Sequence, residues 1–241
     1  SSYNITYKHL ISSLFMEKYK ENFIHYLLDT KALKIGDDFI LKSKRNSPWF
    51  VNVGDFNYAS ATAKLGQFYA STLLDSKVKF DILYGIPEKG NALAVATAIA
   101  LEDIMPDLLW FFTRKIPKEY GEATNLTQQE KIKSLVVGKA PVDGQSIAQL
   151  DDVFTAGDTK YQARETLLSL GNFKLPILAI AVDRQEVGIN GKSAIQEYEE
   201  LTGIKVVSII NASDIYSHLK ENKIIPEEKL ERMANYLRVY G

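Results

Sequence analysis

SIAQLDDVFTAGDTKYQARETLLSLGNFKLPILAIAVD, residues 146–183, decides the fold. A short apolar run, 146–150, meets two acids, Asp151 and Asp152. A small-residue turn follows, and then an amphipathic stretch over 159–171. The stretch closes on PILAIAVD, 176–183, an apolar run without alternation. Such a run reads as a strand covered on both faces. The whole is strand, turn, helix, strand. Gln149 weakens the first strand, and Gly171 is placed to end the helix in the left-handed conformation.

The same alternation extends outward on both sides. FDILYG, 80–85, is a buried strand, 91–102 a helix, and DLLWFFTR, 107–114, a strand. Residues 115–144 form a polar connection. A helix over 193–202 and a strand over 205–210 follow the quoted unit. Alternation from about 80 to 210 predicts a mostly parallel sheet with helices on both faces. The first 60 or so residues do not fit that pattern and predict an accessory layer. In it, Leu14, Phe15, Tyr19, Phe23, Tyr26 and Leu27 have helical spacing. Residues 37–56 read as short strands with a Ser-Pro turn, and 59–75 as a helix. The tail, 212–240, reads as helical with a break at Pro226.

Composition narrows the function classes. The chain has 241 residues, 46% apolar and 24% charged, with a net charge of -1. No basic excess is present to grip a nucleic-acid backbone. The apolar run 92–101 is far short of the roughly 20 residues that span a bilayer, and residues 1–10 have no apolar secretory core. Cysteine is absent, which excludes a disulfide framework and thiolate chemistry and suits a reducing compartment. His9, His25 and His218 lie away from the polar turns, which argues against a histidine metal centre or a Ser-His-Asp triad.

Ligands of open parallel sheets bind outside the carboxyl ends of the strands. The polar turns there are 85–90, 114–120, 151–159 and 183–186. Thr155, Ala156, Gly157, Asp158 and Thr159 lie between a strand and a helix N-terminus, where backbone N–H groups can surround a phosphate. Asp151 and Asp152 would repel a phosphate. They suit the vicinal hydroxyls of a sugar beside it, or a magnesium ion; the plainer reading is a strand end with a capping acid. Neither a dinucleotide fingerprint nor a P-loop is present. Arg114, Lys115 and Lys118 suit a polyphosphate that gains charge in a transition state. The segment after them suits a lid, or else a solvated loop. Lys89 suits a pyrophosphate, or simply solvent. In LKSKRNSPWF, 41–50, Lys42 and Arg45 accompany Trp49 and Phe50, whose rings suit either a planar ligand or a core. Arg184 can fork a carboxylate, or be neutralised by Asp183 and Glu186.

Taken together, these segments resemble the orotate phosphoribosyltransferase family. FILKSKRNSPWFVNVGDF is similar to the family's N-terminal block, and GIPEKG to its Gly-Pro-x-Tyr-Lys-Gly turn. FTRKIPKEYGE resembles the loop Arg-Lys-x-x-Lys-x-His-Gly-Glu, and LDDVFTAGDT resembles Asp-Asp-Val-x-Thr-Ala-Gly-Thr. VDRQE matches Asp-Arg-Gln-Glu. The blocks occur in the family's order over about 20–215.

The resemblance implies an α/β, type I phosphoribosyltransferase fold: a mostly parallel central sheet flanked by helices, with a small N-terminal hood. It implies N-terminal helices and hood over 1–60, the phosphoribosyltransferase core over 61–211, and a tail over 212–241 packing on core or hood. It implies transfer of the 5-phosphoribosyl group from 5-phosphoribosyl 1-pyrophosphate to orotate, giving orotidine 5'-monophosphate and pyrophosphate for UMP synthesis. Magnesium would be held mainly through substrate and water, with Asp151 or Asp152 as candidate protein ligands. Lys115, Arg114, Lys118, Tyr120 and Lys89 carry over to the pyrophosphate, and Asp151 and Asp152 to the ribose. Thr155, Ala156, Gly157, Asp158 and Thr159 carry over to the 5'-phosphate loop, and Lys42, Phe50 and Arg184 to orotate. A cytoplasmic homodimer follows, loop 114–144 completing the neighbouring site, with association with orotidine 5'-monophosphate decarboxylase and no nucleic-acid or membrane partner. The alternatives are a phosphoribosyltransferase for another nucleobase and a non-catalytic phosphoribosyl-pyrophosphate-binding regulator.

The chain also departs from the family pattern. Tyr120 replaces the loop histidine, and a phenol carries no positive charge near neutral pH. Asp158 replaces a threonine, Lys44 a glycine, and Gln149 an apolar strand residue.

Overall fold

The computed structural model describes residues 18–41, 43–55, 58–116, 127–155, 157–188 and 190–241. The longest described strand is the one read as buried on both faces, β7 (Lys174–Asp183). Side chains along a strand alternate between faces. Ile177, Ala179 and Ala181 join one apolar cluster, and Leu178 and Ile180 join the other. β3 (Ile82–Gly85) and β6 (Ser146–Leu150) repeat this division. Leu83, Ala148 and Leu150 point one way, and Ile82, Tyr84 and Ile147 the other.

With β4 (Leu109–Thr113), β5 (Val136–Gly138) and β8 (Lys205–Asn211), these strands form a sheet of order β5-β4-β3-β6-β7-β8. Only β5 is antiparallel to its neighbour. The helix over 18–29 (α1), α2 (Ala59–Asp75) and α3 (Lys89–Ala100) contribute to the first cluster. α5 (Asp158–Leu170) and Tyr198 of α6 (Ala194–Thr202) contribute to the second. The predicted α/β architecture, a mostly parallel sheet between helices, is the one observed. Among the described residues no helix is long and apolar enough to cross a membrane.

The sequence reading needs correction at particular elements. Ser47 and Pro48 do not form a turn; they lie inside β2 (Asn46–Val51). β2 pairs only with β1 (Leu33–Ile40), so it is an edge strand. Ser47 faces Phe39 and Trp49 faces Ile35, and Pro48 between them has no N–H that the ladder must use. The chain reverses instead over 41–45, where Lys44 donates its N–H to the Leu41 carbonyl at 2.8 Å. The polar connection over 115–144 contains α4 (Gln128–Leu135) and β5. A capping box, Thr127 with Glu130, starts that helix. Gly171 is extended, with φ 170°, rather than left-handed. A side chain there would meet the Phe173 ring and Asp143. The left-handed helix end belongs to Gly203, after α6.

The tail consists of α7 (Ala212–Glu221) and α8 (Glu227–Tyr240), with Pro226 as the N-cap of the second. α8 packs on both β1 and β2.

Candidate active site

The strand order reverses beside β3. From it the chain steps to β4 on one side, and later returns to β6 on the other. Such a switch point leaves a crevice at the carboxyl ends of the strands. The turn after β3 and the turn after β6 face each other there, with Gly85 opposite Leu150. Ile86 N–H donates to the Leu150 carbonyl at 2.9 Å. Gly90 approaches the same carbonyl so closely that a Cβ would overlap it. That approach is why the turn carries glycine.

Across this contact, Lys89 Nζ lies 2.6 Å from Asp152 Oδ2. Its neighbour Asp151 is paired differently: Lys160 Nζ lies 2.6 Å from Asp151 Oδ2. Asp151 Oδ1 also accepts the Asp152 N–H at 2.8 Å, and Asp152 Oδ1 accepts the Val153 N–H at 2.8 Å. The acid segment is tied to β7 by backbone. Asp151 N–H donates to the Ala179 carbonyl, and Ala181 N–H to the Asp152 carbonyl. From the other side, the Tyr69 hydroxyl of α2 donates to the Asp151 carbonyl at 2.7 Å. Burial, and then the neighbouring Asp152 and Asp151 charges, push that phenol well above its ordinary range. Burial also holds the Asp151 carboxyl above the usual carboxylate range, against the pull of the Lys160 ammonium.

The turn continues into α5 through Gly157, which is left-handed at φ 85° and caps the helix. Lys160 N–H and Tyr161 N–H return to the Gly157 carbonyl, at 2.8 and 3.0 Å. Thr155, Asp158 and Thr159 are exposed around this helix start. Exposed hydroxyls and helix-start amides form a surface that suits an anion.

Lys115 lies 3.3 Å from Glu88, so the loop after β4 touches the turn after β3. Arg114 turns back on its own loop, facing the Ser134 and Val136 carbonyls at 3.4 and 3.3 Å.

At the end of β7, the Arg184 guanidinium lies 3.9 Å from the centre of the Trp49 ring. Its Nε donates to Glu186 at 2.6 Å, and Nη2 to Ser47 Oγ at 2.9 Å. Of the two neighbouring acids, Glu186 is the one that pairs with Arg184. Asp183 instead accepts the Gln185 N–H. Glu186 also accepts from Tyr236 of α8 at 2.8 Å and faces Arg45 at 3.4 Å. Trp49 is fully buried and belongs to the core. Phe50 is half-buried and stacks on Phe39, with ring centres 5.7 Å apart. Lys42, Lys118, Tyr120 and Ala156 lie outside the described residues.

The structure therefore joins Lys89 to Asp152 and Lys115 to Glu88, and places Asp151 and Gly157 on the same turn. Arg184 follows β7, whose Val182 bridges to Val153 of the acid turn, and it contacts Ser47 and Trp49 of β2, the strand that carries Phe50. Sequence reasoning missed Lys160, Glu88 and Tyr69. Lys160 reads as an ordinary helix-surface lysine, and its only signal is its position on the first turn after Gly157.

Comparison with known proteins gives consistent matches. The orotate phosphoribosyltransferase of Pseudomonas fluorescens is 39% identical over 227 residues, covering 94% of this chain and 100% of that protein. That of Vibrio parahaemolyticus is 40% identical over the same shares of each chain. The crystal structure of the Francisella tularensis orotate phosphoribosyltransferase superposes with a TM-score of 0.76 at 30% identity, covering 91% of this chain and 98% of that one. No family model matches the chain.

Proposed function

The chain belongs to the orotate phosphoribosyltransferase family, and on that premise we propose how its own residues divide the work. The reaction transfers the 5-phosphoribosyl group from 5-phosphoribosyl 1-pyrophosphate to orotate in pyrimidine biosynthesis. Pyrophosphate leaves the anomeric carbon, and a ring nitrogen of orotate bonds to it. The carbon passes through a state resembling an oxocarbenium ion, and negative charge grows on the leaving group.

The observation that carries the assignment is the Lys89–Asp152 pair at the switch point. It sets a cation for the pyrophosphate beside a carboxylate for the ribose. Asp151 and Asp152 accept the ribose hydroxyls. Thr155, Ala156, Gly157, Asp158 and Thr159 form the 5'-phosphate loop. Lys89, Arg114, Lys115, Lys118 and Tyr120 surround the leaving pyrophosphate, where fixed positive charge lowers the barrier. Lys42, Phe50 and Arg184 hold orotate, Phe50 by stacking and Arg184 through its remaining N–H groups. In this reading residues 1–60 are the N-terminal helices and hood, 61–211 the core, and 212–241 a tail that packs on core or hood, a reading supported by α7 against β8 and α8 against β1 and β2.

Asp151 and Asp152 are oxygen donors of the kind magnesium accepts. No cluster of three or more His, Cys, Asp or Glu among the described residues could hold a metal alone. The donor set therefore suits an ion that keeps substrate and water oxygens. Asp152 would be its protein contact, and bound magnesium would neutralise charge on the diphosphate.

The working form is a homodimer in which loop 114–144 of one subunit reaches the other's site, with Arg114 and Lys118 crossing and Lys115 staying in its own. Subunit mixing tests this. Lys118→Ala and Asp152→Asn homodimers should each be nearly inactive, and mixing them should restore activity through hybrids with one intact site. If mixing restores nothing although hybrids form, the shared loop is excluded. The cysteine-free sequence suits the reducing cytoplasm, where association with orotidine 5'-monophosphate decarboxylase would pass the product onward.

A further inference from the structure

The two acids of the site have lysine partners of opposite character. Lys89, opposite Asp152, has a side chain 62% exposed; Lys160, opposite Asp151, has one 5% exposed. Both carboxylates are buried, with side chains 11% and 8% exposed, so the two pairs differ in the cation: an exposed lysine can move off into water. A buried lysine has no such exit, and removing it leaves a desolvated charge behind.

Lys160 occupies a costly position. It sits in the first turn of α5, where the helix dipole disfavours a cation, and it is buried. Its ammonium has three N–H bonds, and it meets three acceptors: Asp151 Oδ2 at 2.6 Å, the Val153 carbonyl at 2.6 Å and Thr159 Oγ1 at 3.3 Å. These acceptors come from the end of β6, the middle of the turn and the start of α5. One buried ammonium thus ties the residues that lead into the 5'-phosphate loop to Thr159 at its far end. The Asp151 carboxylate is held at both oxygens, by Lys160 and by the Asp152 N–H.

We propose that Lys160 is a positioning residue for 5-phosphoribosyl 1-pyrophosphate: it stays on Asp151 and fixes that acid and its turn, while Asp152 exchanges its lysine for the ribose hydroxyls. The proposal rests on the family reading of the site. Two adjacent carboxylates would repel each other and an anionic substrate. Neutralising Asp151 with a buried cation removes most of that penalty and leaves Asp152, whose lysine reaches solvent, to act. The same ammonium holds the phosphate loop in shape before substrate arrives, which reduces the ordering that binding requires.

The test is steady-state kinetics on Lys160→Met, which keeps length and removes charge, beside the unaltered chain. The expected result is a Michaelis constant for 5-phosphoribosyl 1-pyrophosphate raised by about tenfold or more, with that for orotate within about twofold. Unchanged constants for both substrates in an active variant would overturn the proposal. An unaltered chain that fails to turn over orotate would sink the family reading instead. If Lys160→Met does not fold, a crystal structure of the unaltered chain with 5-phosphoribosyl 1-pyrophosphate decides. Lys160 should remain on Asp151, while Lys89 leaves Asp152 and ribose hydroxyls take its place. Lys160 released from Asp151, or Lys89 still on Asp152, would refute it.

Discussion

Lys89 Nζ and Asp152 Oδ2 lie 2.6 Å apart and join the turns that follow β3 and β6. One bond thus crosses the point where the strand order reverses. Lys89 is mostly exposed but Asp152 is buried, so losing the lysine costs some stability through the carboxylate left behind. Lys89→Met should also raise the Michaelis constant for 5-phosphoribosyl 1-pyrophosphate by about tenfold, equivalent to about 1.4 kcal/mol. The constant for orotate should stay within about twofold. Initial-rate kinetics with each substrate varied in turn checks this.

Arg184 links β7 to the β1–β2 layer through Ser47 and the Trp49 ring. A lysine can neither fork nor stack in this way. Arg184→Lys should raise the Michaelis constant for orotate by about tenfold, and should destabilise the fold by about 1–2 kcal/mol through the lost hydrogen bonds. The measurements are kinetics and urea unfolding. An unchanged orotate constant would remove Arg184 from the orotate end.

Lys44 stands where the family carries glycine, and its backbone is left-handed, with φ 63°. That conformation costs a residue with a Cβ roughly 1–2 kcal/mol, partly offset by the roughly 0.5–1 kcal/mol of extra chain entropy that glycine gives up. Lys44→Gly should therefore stabilise the protein by up to about 1 kcal/mol. It should raise the urea midpoint without changing the slope.

His218 of α7 and His25 of α1 face each other, Nε2 to Nε2, at 3.2 Å. Burial, and then the neighbouring His25, hold His218 below its ordinary value of 6.5, while Glu21 and Glu221 pull the other way. Below 6.5 the unfolded chain therefore binds more protons at this residue than the folded one. Its contribution is fully present above that value and is lost as pH falls through the depressed folded value. The melting temperature should fall as pH drops below about 6.5, and His218→Gln should flatten that fall. An equal drop in both proteins would contradict this origin.

Most of the parallel sheet was legible because its strands are continuous apolar runs, as in PILAIAVD. The turn residues followed, since a parallel strand's carboxyl end is where a ligand sits. What escaped was set by tertiary context. Pro48 reads as a turn until β2 is seen to be an edge strand. α4 hides in a polar segment, although the Thr127–Glu130 spacing announces its start. Gly171 looks like a left-handed cap, yet glycine is needed there because Phe173 and Asp143 crowd the position. Lys160 was overlooked because no local pattern tells a buried lysine from a solvated one. Its meaning depends on Asp151, which only the folded turn brings to it. Gln149 likewise reads as a break in the strand, and the structure buries it on the Tyr198 face of β6 without ending the strand.

The most direct measurement is loss of orotate absorbance in the presence of 5-phosphoribosyl 1-pyrophosphate and magnesium, with uracil and hypoxanthine as competing bases. The expected result is turnover of orotate, abolished or strongly reduced in Asp152→Asn, with little or none of the other bases. No turnover of orotate, or equal turnover of uracil or hypoxanthine, would contradict it.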